Sequence, residues 1–327
     1  MDQEITPWRG DIESANRVFD LVEEALPVTQ KADRSRADEI LKLRQKNFHE
    51  GTFLVWIDSQ VQGFVMLSKT GSPDVIDVTG IVRANYHRRG IGTALLAKAI
   101  AVLKDRSISG KLRSVAFDSN PSGHHFLEHH GFKAVDKQVW SELSTQSTYP
   151  SWAGHKLRKI ESGSIQFLGG HQLRTIRDDW LHAWWRLVTS TAADIPSRVT
   201  GPNVSFDDWK KWMESPSVDQ SHTVFALDGA EPIAVLSLGR LTDGKVNIHY
   251  TGVHTSYRRR GLSTALKFKA LRLARKLGAH TLVTQNHQDN PMLDLNRRLG
   301  FTEVNSMTEY VRQLDANNQE PMRFGGV

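Results

Sequence analysis

An internal repeat constrains this chain more than any other feature of its sequence. The segment VRANYHRRGIGTALL at 82–96 aligns without a gap with VHTSYRRRGLSTALK at 253–267. Upstream, FLVWID at 53–58 matches TVFALD at 223–228, and downstream Gly131-Phe132 matches Gly300-Phe301. The spacing between the copies stays constant to within two residues at all three points. Such self-similarity predicts two tandem units of one supersecondary design.

Each copy has the same local order of strand, glycine turn, helix and strand. β-rich runs at 75–82 and 246–253 precede the turns, and further runs at 114–117 and 281–284 follow the helices. The apolar residues after each turn recur at helical spacing, as Ile91, Leu95, Ala99 and Val102 and as Leu262, Leu266, Ala270 and Leu273. This order predicts an α/β unit in each half.

The segment 141–170 is rich in Ser, Thr and Gly, which is typical of a connector. We therefore predict two domains, 1–150 and 151–327, with the boundary near Pro150.

Composition excludes several classes of function. The 327 residues include no cysteine, so a cysteine nucleophile, a thiolate zinc site and a disulfide framework are all excluded. The first twenty residues carry acids and no apolar core of a signal peptide, and no apolar run approaches a membrane span. We expect a cytoplasmic protein that does not enter a membrane. The net charge of +6 fits nucleic acid, an acidic surface or a polyanionic nucleotide cofactor.

The two glycine turns are candidate phosphate sites. A helix N-terminus leaves backbone N–H groups unpaired and carries partial positive charge, and a preceding glycine lets phosphate oxygens approach closely. The first copy supplies His87, Arg88, Arg89, Gly90, Ile91 and Gly92, and the second supplies Arg258, Arg259, Arg260, Gly261, Leu262 and Ser263. A solvated basic turn is the alternative for one isolated motif, but two copies in the same context favour a pyrophosphate site.

Both halves resemble GNAT acetyltransferases. The resemblance rests on the basic glycine turn, the amphipathic helix, the asparagine near a strand end and the terminal Gly-Phe. The resemblance implies two GNAT-like domains, each a twisted, splayed mixed sheet flanked by helices, with acetyl-CoA as co-substrate and no metal. It also implies that the splayed strands before the turns, ending at Val82 and Val253, bind the pantetheine arm. Carried over onto this sequence, the remaining contacts to acetyl-CoA are Thr93, Asn120, Thr264, Asn286 and Asn290, beside the turn residues.

The sequence departs from the family pattern at several positions. His87 replaces the usual Arg or Gln, and Ser263 replaces the usual Gly or Ala. Many members place a tyrosine four residues before Gly-Phe as the acid that protonates the leaving thiolate, whereas this chain has Leu127 and Asn296. The second copy contains Thr284-Gln285-Asn286, Asn290-Pro291-Met292-Leu293, Asn296-x-x-Leu299-Gly300-Phe301 and, earlier, Asp194-Ile195-Pro196. In these segments it resembles the two-domain GNAT proteins that include mycothiol synthase, whose C-terminal domain acetylates.

Direct attack of an amine on a thioester requires a base rather than a protein nucleophile. The titratable candidates on the strands before the turns are Asp77, His249 and Tyr250, with exposed or structurally bonded side chains as the alternative. His125 and His129 share a helix face that we interpret as solvated rather than metal-binding, since no third ligand is evident.

The tryptophans Trp180, Trp184, Trp185, Trp209 and Trp212 are interpreted mainly as core, with one or two available to an acceptor pocket.

These patterns predict an acetyl-CoA-dependent N-acetyltransferase acting on a small primary amine, such as an aminosugar, an amino acid derivative or an antibiotic. A nucleic-acid-binding protein is the alternative from another class, disfavoured by interspersed acids, and a CoA-sensing tandem protein without catalysis is a third. Monomer and homodimer both stay open. We predict that the second copy carries the chemistry.

Overall fold

The computed structural model describes residues 4–8, 10–25, 51–70, 72–192, 205–214 and 219–314. The strands are β1 Glu4–Pro7, β2 Thr52–Ile57, β3 Gln60–Lys69, β4 Val75–Val82, β5 Gly110–Phe117, β6 Lys133–Ser144, β7 Ile165–Gly169, β8 Thr223–Asp228, β9 Glu231–Thr242, β10 Lys245–Val253, β11 Thr281–His287 and β12 Thr302–Leu314. The helices are α1 Ile12–Ala25, α2 Ile91–Asp105, α3 Pro121–His129, α4 Ser151–Glu161, α5 Gly170–Ile176, α6 Trp180–Ala192, α7 Phe206–Met213, α8 Leu262–Lys276 and α9 Pro291–Arg298.

The chain forms two compact units that do not follow chain order. Unit 1 contains the described residues of Met1–Val135 and Thr308–Val327, and unit 2 is Asp136–Met307. The chain therefore passes between the units within β6 and again within β12. The predicted division into 1–150 and 151–327, drawn from the two sequence copies, stays a prediction.

In unit 1 the strands follow the order β1-β2-β3-β4-β5, and the end of β12 pairs beside β5. All neighbours from β1 to β4 are antiparallel, and β4 and β5 are parallel. The helical spacing of α2 puts Leu95 and Ala99 against Val78 and Leu112 in the core on one face of the sheet. On the other face, α1 packs Leu21 and its neighbours against Phe64.

Unit 2 repeats this design in the order β7-β8-β9-β10-β11, with β6 beside β11. The helices α4 and α8 cover one face, where Ala153, Leu266 and Ala270 are fully buried. The opposite face carries α6 and α7 with a core of aromatic side chains, among them Trp184 and Trp209.

The structure confirms the predicted fold class and the elements around both turns. It also confirms the core interpretation for Trp184 and Trp209, which are 2% and 6% exposed, while Trp180 and Trp185 pack partly buried against the same core. The side chain of Trp212 and the segment 194–196 lie outside the described residues.

Candidate functional site

In both units the strand before the glycine turn separates from its parallel neighbour. The pairing of β4 with β5 ends at Asp77 and Arg113, although β4 continues to Val82. The pairing of β10 with β11 ends at Ile248 and Thr284, although β10 continues to Val253. The predicted splay is therefore present twice. Beyond the last pair, backbone groups on the inner edges are free of the parallel ladder and can pair with an extended ligand.

The glycine turns have the same backbone geometry in both copies. Gly90 has φ 76° and Gly261 has φ 89°, and each stands as the left-handed residue before a helix. Residues with a Cβ rarely adopt this conformation, which explains the glycine at both places. Among the residues that the structure describes, no side chain caps either helix, so the N–H groups of its first turn stay available for an anion.

The basic residues of the turns are partly engaged with the protein. The Nε2 of His87 lies 2.7 Å from the carbonyl oxygen of Val82, and the Nε of Arg258 donates to that of Val253 at 3.1 Å. His87 thus occupies the place of an arginine and ties the end of its strand to the turn in the same way. The predicted phosphate contacts of both residues stay predictions.

The other arginines of the turns also repeat. The guanidinium of Arg89 lies 4.9 Å from the ring centroid of Tyr86, and that of Arg260 lies 4.9 Å from that of Tyr257. Arg88 and Arg259 have φ values of 60° and 61°. The two turns therefore share one backbone conformation and one arrangement of arginine on tyrosine, and they differ in the side chains that pack against them.

In unit 1 the helix α3 and the residue that follows it close over the start of α2. A Cβ at Gly92 would lie 3.0 Å from Phe126 Cε2, and His130 Nε2 lies 3.1 Å from Thr93 Oγ1. Burial lowers the pKa of His130. A side chain at Gly92 would thus have to displace Phe126, whereas the second copy has Ser263 there and Leu295 in place of Phe126.

The predicted asparagines have structural partners. Asn120 and Asn290 cap α3 and α9 through bonds from the N–H of Gly123 and Met292. The Oδ1 of Asn286 accepts from Asn296 Nδ2 at 2.7 Å, and Asn296 is fully buried.

Two buried oxygens near the splay of unit 2 have no hydrogen-bond partner among the described residues. They are Thr251 Oγ1 on β10 and Asn296 Oδ1 on α9. Buried polar groups are usually paired, so this site has hydrogen-bonding capacity that the described chain leaves unused.

Asp77 is a poor candidate for a base. Its two oxygens accept from Arg113 at 2.5 Å and 2.8 Å, so the guanidinium holds the carboxylate with a bidentate pair. This pairing raises the pKa of Arg113. The interaction matches the structural alternative that the sequence left open for Asp77.

His249 has a different setting. The ladder between β10 and β9 shifts register between Ile248 and Tyr250, so His249 is the extra residue of a β-bulge. Its side chain is exposed, and its ring lies over Gly239, where a Cβ would come within 2.5 Å of Nε2. His222 Nδ1 lies 3.0 Å from the carbonyl oxygen of the same glycine. The bulge thus presents an imidazole at the splayed part of β10.

Tyr250 belongs to a small hydroxyl cluster. Its hydroxyl lies 2.6 Å from Thr191 Oγ1 and donates to the carbonyl of Val188 at 3.1 Å. A Cβ at Gly252 would lie 2.5 Å from Thr191 Oγ1 and 2.8 Å from Tyr250 Cε1. Only glycine at 252 admits this pair. Sequence reasoning missed Thr191, Gly239 and Gly252, since no local pattern links them to β10.

Comparison with known proteins identifies the family. A model described as the acetyltransferase (GNAT) family matches residues 15–132 and 180–301, which is more than half of the chain. The chain belongs to this family. A comparison with curated protein sequences gave no match.

Solved GNAT structures share the fold over nearly the whole chain. A GCN5-related N-acetyltransferase from Sphaerobacter thermophilus is 18% identical, with a TM-score of 0.72 over 95% of this chain and 96% of that chain. A tandem GNAT protein from the clavulanic acid biosynthesis pathway is 17% identical, with a TM-score of 0.66 over 96% and 99%.

A glucosamine N-acetyltransferase region of a fungal multi-domain β-N-acetylglucosaminidase is 14% identical, with a TM-score of 0.69 over 94% of this chain and 38% of that chain. At these identities the three likenesses support the fold alone.

Members of the GNAT family use acetyl-CoA, and both glycine turns have the backbone geometry for its pyrophosphate. The described residues contain no group of three or more His, Asp or Glu placed to hold a metal ion. None of the described helices combines the length and hydropathy of a bilayer span.

Proposed function

We propose that this GNAT protein transfers the acetyl group of acetyl-CoA to a primary amine of a small molecule, and that unit 2 carries the transfer. The observation that carries the proposal is the exposed His249 on the bulge of β10, which leads through the splayed strand to the uncapped turn at Gly261. A base, an extended backbone edge and an anion site thus follow one another along one strand.

The reaction needs no protein nucleophile. The amine nitrogen attacks the thioester carbonyl, a C–N bond forms, the C–S bond breaks, and CoA leaves as the thiol after taking up a proton. His249 accepts the proton that the amine loses, directly or through water. The hydroxyls of Tyr250 and Thr191 bind each other and the carbonyl oxygens of Val188 and Leu187, so we assign them to holding β10 against α6 beside this base. Both substrates bind before transfer, because direct attack requires a ternary complex.

Unit 1 is the weaker candidate for catalysis. Its strand carboxylate, Asp77, accepts two hydrogen bonds from Arg113, so this side chain is committed to a structural pair and is not available as a base. We propose that unit 1 serves as a scaffold that holds acetyl-CoA without transferring its acetyl group.

The first test is calorimetric binding of acetyl-CoA and thiol release with a panel of amines that includes glucosamine. Gly261→Val should abolish turnover, because a Cβ there faces Ile160 at 3.4 Å and the left-handed φ is strained. Gly90→Val imposes the same backbone strain in open space and is the matched control; it should keep most of the activity.

Circular dichroism confirms that both variants fold. Absence of acetyl-CoA binding would reject the proposal, and binding without turnover on any amine would favour a CoA sensor. Loss of turnover in Gly90→Val alone would reverse the assignment of the units. Parallel double-reciprocal plots would contradict the ternary complex.

A further inference from the structure

We propose that α4, together with the end of α9, forms a subsite for the 3′-phosphoadenosine of acetyl-CoA in unit 2. The inference rests on the proposed function. It goes further because it places the nucleotide on the helix that joins the two sequence copies, outside the glycine turn.

The helix α4 lies against the second glycine turn. A Cβ at Gly261 would lie 3.4 Å from Ile160 Cδ1 and 3.5 Å from Lys156 Cδ. The ammonium of Lys156 is two bonds beyond this Cδ and is therefore within reach of a ligand bound at the turn. In unit 1 a Cβ at Gly90 would meet no described atom within 4 Å, so the two turns differ in this respect.

The position of α4 is fixed by packing and hydrogen bonds. Ala153 and Leu157 are buried, and the hydroxyl of Tyr149, just before the helix, donates to the carbonyl of Lys267 on α8 at 3.1 Å. At the other end of the helix, Lys269 Nζ donates to Glu161 at 2.6 Å. The residues that α4 presents beside the turn are thus held on a rigid element.

Two cations lie over one indole in this region. Lys156 Nζ is 5.4 Å from the ring centroid of the partly exposed Trp152, and Arg298 Cζ is 4.9 Å from it. Both cations are exposed, and neither forms an ion pair with a described residue. The adjacent Arg297, by contrast, is paired with Asp294 and Glu303. The cluster therefore combines an aromatic face with two uncommitted positive charges.

This combination fits a purine nucleotide that carries a phosphomonoester. An indole stacks on a base, and lysine and arginine bind phosphate oxygens through charge-assisted hydrogen bonds. In acetyl-CoA the adenosine and its 3′-phosphate follow directly from the pyrophosphate. A pyrophosphate bound at Gly261 would leave this part of the molecule beside Lys156. The matching position to Arg298 in the first copy is His129, which lacks the permanent charge.

The test compares CoA with 3′-dephospho-CoA by titration calorimetry on the full chain. The wild type should bind CoA about tenfold more tightly than 3′-dephospho-CoA, because the analogue lacks the phosphate that accepts the charge-assisted hydrogen bonds. The double variant Lys156→Ala, Arg298→Ala should bind CoA about tenfold more weakly and no longer distinguish the two ligands. Arg158→Ala removes one charge from another side of the same helix and should behave as wild type.

Trp152→Leu tests the base separately. It should weaken CoA and 3′-dephospho-CoA by the same factor, and thermal unfolding checks that the variant folds. When two sites titrate, the site of unit 1 serves as the internal reference. Equal CoA affinity in the wild type and the double variant would overturn the subsite and leave the proposed function intact. Failure of the wild type to bind CoA at all would overturn both.

Discussion

Lys267 is a lysine in the core of unit 2, at the position where the first copy has Leu96. It is 1% exposed, and its Nζ lies 5.3 Å from the ring centroid of Phe301. Its ammonium forms no ion pair with any residue that the structure describes. Burial lowers the pKa of Lys267 from 10.5 to about 7. We therefore expect the buried lysine to destabilise the folded protein at every pH below the pKa that it has in the unfolded chain.

The magnitude follows from the displaced pKa. A pKa difference of one unit is worth about 1.36 kcal/mol. Relative to a lysine with the same pKa in the folded and unfolded states, the free energy of unfolding is lower by about 5 kcal/mol at pH 6 and by about 2 kcal/mol at pH 9. The sign follows because the unfolded chain binds the proton more tightly, so stability rises with pH between the folded and unfolded pKa values. A cation–π contact with Phe301 offsets about 1 kcal/mol of this cost.

The perturbation is Lys267→Met, which keeps the length of the side chain and removes its charge. We expect the variant to be more stable than the wild type at pH 6, by about 3 to 4 kcal/mol after that offset. The gain should shrink by about 2 to 3 kcal/mol at pH 9. Urea unfolding followed by tryptophan fluorescence at both pH values measures this difference.

Lys276→Met, at an exposed position of the same helix, is the matched control and should show a gain or loss that does not change with pH. A gain for Lys267→Met that is equal at pH 6 and pH 9 would refute the argument. Lower stability of that variant at pH 6 would refute it as well.

Three further predictions concern packing. Gly92→Ser should lower the free energy of unfolding by about 1 to 3 kcal/mol, because its Cβ meets Phe126. Adding Phe126→Leu in the same chain should recover much of this loss, as measured by a double-mutant cycle of thermal unfolding. Additive losses would contradict the contact. Asp136→Ala removes the buried carboxylate that lies against His287 Nε2 and should cost about 1 to 3 kcal/mol in urea unfolding, so an unchanged midpoint would rule out a stabilising contact. Trp184→Ala should cost about 3 to 5 kcal/mol by the same measurement, and a loss under about 1 kcal/mol would show that the aromatic core is loosely packed.

The sequence alone determined the parts of this protein that depend on neighbouring residues. Gly90 and Gly261 mark the helix starts because a left-handed residue is needed there, and the apolar spacing that follows defines the buried face of each helix. The repeat showed the same turn and helix twice in the same context, and this duplicated pattern indicated the family. The predicted phosphate contacts of these turns follow from the same local logic.

The tertiary structure decided whatever joins residues that are distant along the chain. Asp77 and His249 look alike as titratable strand residues, and only the contact with Arg113 and the bulge of β10 separate them. The pairing of Tyr250 with Thr191 and the approach of Lys156 to Gly261 span many residues. No periodicity encodes these contacts, because they depend on how helices dock on a sheet rather than on the conformation that each residue prefers.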